Sequence, residues 1–76
     1  MSRIDHIGIA TESIDSALPF WNVLGFKSSG GVIVEEQGVE VRYMRNESDT
    51  RIELLEPTGP DTPVGRFIER KGEGIQ

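Results

Sequence analysis

Thr11-Glu12-Ser13-Ile14-Asp15-Ser16-Ala17-Leu18-Pro19-Phe20-Trp21-Asn22-Val23-Leu24-Gly25 is the stretch on which the fold turns. Ile14, Ala17, Leu18, Trp21 and Leu24 recur at i, i+3, i+4, i+7 and i+10, the apolar stripe of an amphipathic helix. Thr11 to Ser13 supply N-cap chemistry, and Gly25 suits the left-handed residue that ends a helix. Pro19 removes one backbone hydrogen bond, which predicts a kink or a loosened first half, but the stripe continues past it.

On both sides of this helix the period changes. From Arg3 to Ala10, Ile4, His6 and Gly8 share one side and Asp5, Ile7 and Ile9 the other, which reads as a strand. After Phe26 the pair Gly30-Gly31 punctuates the chain, and the β-branched run Val32-Ile33-Val34 predicts a second strand. Glu35 to Gly38 is a turn. Val39, Val41 and Tyr43 alternate with Glu40, Arg42 and Met44 as a third strand, and Asn46 to Thr50 form a polar turn. Arg51-Ile52-Glu53-Leu54-Leu55 is a fourth strand, closed by Pro57 and the Gly59-Pro60 breaker. Val64, Phe67 and Ile68 predict a short second helix ending near Gly72 and Gly74. The string is α+β: one βαβββ module spanning 1–76, a mixed sheet with one covering helix. Ile14, Leu18, Trp21 and Leu24 should pack on Ile7, Ile9, Ile52 and Leu54. The opposite face is then left open, which calls for an assembly or a second half.

Size and composition point the same way. A domain of 76 residues buries only about 60% of the surface its unfolded chain exposes. With no cysteine there is no disulfide to compensate, so a metal, a ligand or another chain must. Thirteen acidic against eight basic residues, a formal charge of −5, disfavour nucleic acid and anionic membranes as partners. No apolar run approaches the roughly 20 residues that span a bilayer, and residues 1–5 lack a signal-peptide core, so the expected setting is the cytoplasm.

Two residues stand out chemically. His6 is the only histidine; a lone strand histidine is structural, solvated or a metal ligand. Glu53 is a carboxylate inside an apolar strand, with Ile52 and Leu54 turned to one face and Glu53 and Leu55 to the other. It belongs either to a wet face or to a site, as ligand or general base. Phe20 and Trp21 read as helix-core or interface residues, and Glu35 and Glu36 as a solvated turn. Arg42 and Arg51 read as surface charges, with the capacity to neutralise a carboxylate or phosphate.

Asp5-His6-Ile7-Gly8-Ile9-Ala10, Val23-Leu24-Gly25-Phe26, Glu36-Gln37-Gly38-Val39 and Ile52-Glu53-Leu54-Leu55-Glu56-Pro57 occur in order across nearly the whole chain. In that order they resemble the vicinal oxygen chelate (glyoxalase) superfamily, and within it methylmalonyl-CoA epimerases and glyoxalase I. Lys71-Gly72-Glu73-Gly74-Ile75 resembles the connector into that family's second module, placing Gln76 one position before the second module's histidine.

The resemblance implies an amino-terminal half module in which His6 and Glu53 are ligands of a divalent ion. An imidazole–carboxylate pair suits Zn, Ni, Co, Mn or Fe without choosing among them. It implies an epimerase or isomerase of a small carbonyl or CoA-thioester substrate working through a metal-stabilised enolate, active only when paired. The partner would be a second copy, giving two histidines and two glutamates around one ion, or a carboxy-terminal module. The alternatives are a metal-free small-molecule binding module and an inactive fragment of a two-module lyase of the lactoylglutathione lyase type. Bacterial epimerases resembling this chain carry a base glutamate on the third strand. Gapless alignment on Gln37-Gly38-Val39 puts that position at Val41, with Glu40 on the opposite face. Either a bulge re-aims Glu40, or proton transfer relies on Glu53 or another module; unbroken alternation through Val39, Val41 and Tyr43 favours the second.

Overall fold

The computed structural model describes residues 7–75. Strand β1 (Ile7–Ala10) leads to helix α1 (Ile14–Val23), then strands β2 (Lys27–Val34), β3 (Val39–Arg45) and β4 (Arg51–Pro57), helix α2 (Pro63–Lys71) and a final strand β5 (Gly74–Ile75). The sheet is mixed, in the order β2-β3-β4-β1-β5, with β1 parallel to β4 and the other pairs antiparallel. This is the α+β class expected. The part of the first expected strand before Ile7 lies outside the described residues.

α1 begins where its sequence provides a cap. The Ser13 hydroxyl accepts from the Ser16 N–H at 3.2 Å, and Glu56 reaches back from β4 to accept from the Ile14 N–H at 2.7 Å. The helix runs on through Pro19. Asp15, whose carbonyl loses its partner there, is exposed, so water can serve it. Ile14 is buried with Met44, Ile52, Leu54 and Phe26, and Ile9, Ala17, Leu18 and Trp21 pack against them.

Leu24 is not part of that core, contrary to expectation: it is the C-cap residue and 52% exposed. The chain reverses at Gly25 (φ 91), and Phe26 turns inward instead, edge-on to Trp21 at 5.6 Å.

Three further expectations are corrected. β2 is not confined to Val32–Val34 but runs through Gly30-Gly31, with a register shift between Ser28 and Gly30; the glycines lie within the strand, next to a bulge whose extra residue is Ser29. The connector forms β5 on the outer edge of β1. The opposite face is also not wholly open. Val64 of α2 is buried with Ala10, Val39 and Val41, and Phe67 and Ile68 pack there with Leu55. α2 is held at its start by Thr62, whose hydroxyl accepts from the Gly65 N–H at 3.0 Å, and Pro63 occupies the first turn. Gly38 lets α2 lie close: its φ is 63°, and a Cβ there would fall 2.5 Å from Thr62 Cγ2.

Candidate functional site

Register assigns the faces. β4 pairs Glu53 with Tyr43 of β3 and with Gly8 of β1, while Ile52 pairs with Met44 and Ile7, and Leu54 with Arg42 and Ile9. Paired residues share a face, so Glu53, Tyr43 and Gly8 form a row on the side away from α1. Gly30 extends that row on β2, opposite Tyr43. One step along β4, Leu55 lies beneath α2. Glu53 therefore sits where the cover of α2 stops.

The surroundings of this carboxylate are open in one direction and shaped in the others. Gly8 presents no side chain toward it, and a Cβ there would come within 3.1 Å of Leu55 Cδ1. Tyr43, 39% exposed, stands on its other flank. Glu53 itself is half-buried. Such a carboxylate can ligate a cation, accept a hydrogen bond or take a proton. His6, the other expected ligand, lies outside the described residues. Among the described residues no group of three or more His, Asp or Glu side chains gathers as a metal site.

Glu40 is not brought to Glu53. It pairs with Glu56 and Ile33 on the α1 side of the sheet, and its carboxylate lies 3.7 Å from the Arg42 guanidinium. The β3–β4 register has no shift from Val39 to Arg45, so no bulge turns Glu40 round. Val41 does lie on the Glu53 side, buried under α2.

Several placements were not legible in the sequence. Tyr43 as the direct neighbour of Glu53 depends on strand register, which one sequence does not display. Glu56 and Glu73 both serve the start of α1: Glu73 accepts from the Glu12 N–H at 2.6 Å and from the Thr11 hydroxyl at 3.1 Å. That ties the segment after α2 to the beginning of α1. Placing a carboxylate at a helix N-terminus also suits the dipole. At the other end of the sheet, Lys27 pairs with Arg45 and Arg45 with Arg51.

Residues 5–76 match the glyoxalase/bleomycin resistance protein/dioxygenase superfamily. The chain belongs to that superfamily. Among superfamily relatives, it is 46% identical over 76 residues to the uncharacterized protein YqjC of Bacillus subtilis (strain 168), covering 99% of this chain and 54% of that protein. It is 35% identical over 75 residues to human mitochondrial methylmalonyl-CoA epimerase, covering 97% of this chain and 42% of the epimerase. A solved structure of a Streptomyces coelicolor methylmalonyl-CoA epimerase variant, in complex with 2-nitronate-propionyl-CoA, superimposes with a TM-score of 0.86 at 34% identity, over 99% of this chain and 58% of that one. The chain thus spans about half the length of the superfamily relatives it matches.

Proposed function

We propose that this module supplies half of the active site of a metal-dependent epimerase of a CoA thioester, with His6 and Glu53 as its two metal ligands. The observation that carries the reading is the position of Glu53: a carboxylate at mid-sheet, beside a glycine, on the part of the face that neither helix covers. The similarity to epimerases, one of them solved with a CoA-type ligand, points to the substrate class.

A catalytic site of this type needs three or four protein donors and an open position. Two come from this module and the rest from a second, either another copy of the chain or a carboxy-terminal module, as the greater length of the relatives favours. β5 lays the segment after α2 along β1, so chain continuing from it would start beside that strand. When bound, the divalent ion would act as a Lewis acid toward the substrate oxygens.

The chain's own residues would do the rest. Gly8 leaves room next to Glu53 for the substrate, Tyr43 forms the opposite wall, and α2 closes one end of the face to water. Epimerisation removes the proton from the carbon next to the thioester carbonyl and returns it on the other side. Val41 cannot carry that proton and Glu40 faces the other way, so the role falls to Glu53 or to a residue of the second module.

Equilibrium dialysis against Zn2+, Co2+ and Mn2+, with elemental analysis and sedimentation, tests this. One ion per pair of modules is expected. Glu53→Gln should weaken binding by at least about tenfold, as loss of even an outer-shell partner does, and should loosen any self-association linked to the metal. A monomer that takes up none of these ions, alone or joined to a second module, would leave the metal-free binding module as the better account.

A further inference from the structure

The chain carries eight basic residues against thirteen acidic ones, yet three of the eight stand side by side. Lys27 on β2 pairs with Arg45 on β3, which pairs with Arg51 on β4. By alternation this row shares the face of Tyr43 and Glu53, two residues further along the strands, or about 7 Å. All three residues are exposed.

Like charges directly opposite one another on neighbouring strands are destabilising, so the row opposes folding unless something offsets it. Asp49 does so in part. Its carboxylate lies 3.7 Å from Arg45 Nη1 and 3.2 Å from Arg51 Nη2, and it also accepts from Arg51 Nε at 3.4 Å. Among the described residues no carboxylate pairs with Lys27 in that way. Two shallow clefts open at this end of the sheet, one lined by Lys27, Ser28, Ser29, Arg45, Asn46 and Glu47 among others, the next including Ser29, Tyr43, Arg45 and Arg51. Ser29 and Arg45 belong to both, so the clefts adjoin along the row, and the second borders Tyr43, the neighbour of Glu53, as well as Met44 and Ile52 at the end of the sheet.

We infer that Lys27, Arg45 and Arg51 form an anion subsite that takes the phosphate groups of a nucleotide-type ligand whose other end reaches Glu53. Two guanidinium forks suit phosphate oxygens in bidentate fashion, and the lysine adds a point charge. Across three strands the row spans about 10 Å, more than a single carboxylate fills and enough for two phosphate groups. The overall negative charge makes a nucleic-acid backbone a poor occupant. The inference rests on reading the Glu53 face as the substrate face, but it invokes no metal and can fail or stand without one.

The test is a titration of the chain followed by amide NMR, with 3′,5′-adenosine bisphosphate, inorganic phosphate and pantetheine as separate probes. The bisphosphate should shift the amides around Lys27, Arg45 and Arg51, bind more weakly as salt rises, and lose about tenfold in affinity with Arg45→Gln or Arg51→Gln. Pantetheine, which has no phosphate, should leave these amides unmoved. Asp49→Asn should tighten binding severalfold, since asparagine tolerates the φ of 63° at this position and no longer competes for the guanidinium groups. Glu53→Gln should weaken metal uptake by at least about tenfold without changing bisphosphate affinity, which separates this subsite from the metal reading. Equal affinities for wild type, both glutamine variants and Asp49→Asn would overturn the subsite. Inorganic phosphate binding as tightly as the bisphosphate would overturn the nucleotide assignment.

Discussion

The two faces of the sheet are built from the same strands, yet they are finished to different degrees. Under α1, Met44, Ile52, Leu54 and Ile14 are sealed, Leu54 completely. Under α2, Val39, Val41, Ala10 and Val64 are buried, but the cover ends at Leu55 and leaves Glu53, Tyr43, Gly30 and Val32 in the open. The first face is a core. The second is half core and half uncovered, and a polar carboxylate can stand mid-strand only because the helix stops short of it. Enclosure and openness are thus divided across the thickness of one sheet.

Substitutions can break or sharpen that division. Leu54→Ala removes the most enclosed side chain of the α1 face and should cost about 2–5 kcal/mol in urea melts; a cost below 1 kcal/mol would mean that face is not the main core. Val64→Ala, beneath α2, deletes two methyl groups and should cost about 2 kcal/mol once the cavity is included. If it proved as damaging as Leu54→Ala, the two faces would be energetically alike. Ser13→Ala strips the cap of α1 and should lower stability by about 1 kcal/mol, less if the Glu56 carboxylate at the Ile14 N–H takes over. Val32→Thr, 45% exposed on the uncovered side, should change the stability of the isolated chain by no more than about 0.5 kcal/mol. A larger loss, growing with protein concentration, would reveal that another module rests there.

The uncovered regions share a feature that the core lacks. Val32 and Ile33 on edge strand β2, Ile75 on edge strand β5, and Phe20 and Val23 on the outer side of α1 are all exposed. An edge strand with apolar side chains is an unprotected pairing surface. Two such edges leave apolar surface without a cover among the described residues.

Local pattern determined much of this protein. The helical stripe from Ile14, the alternation of Val39 to Met44, the strand around Glu53 and the Val64-Phe67-Ile68 helix are periodicities that a chain displays before it folds, because each element must put its apolar residues on one side. The separation of Glu40 from Glu53 was legible for the same reason, since period two holds wherever a strand has no bulge. The exceptions were decided in three dimensions. Gly30-Gly31 read as punctuation, but pairing with β3 drew the glycines into β2, beside a bulge at Ser29. Leu24 matched the stripe, yet the turn at Gly25 gave its place in the core to Phe26. Where α2 would lie, which residue would flank Glu53 and that Lys27, Arg45 and Arg51 would line up all depend on register between strands distant in sequence. Register is set by the packing of whole faces, a sum over many contacts that no single residue spells out.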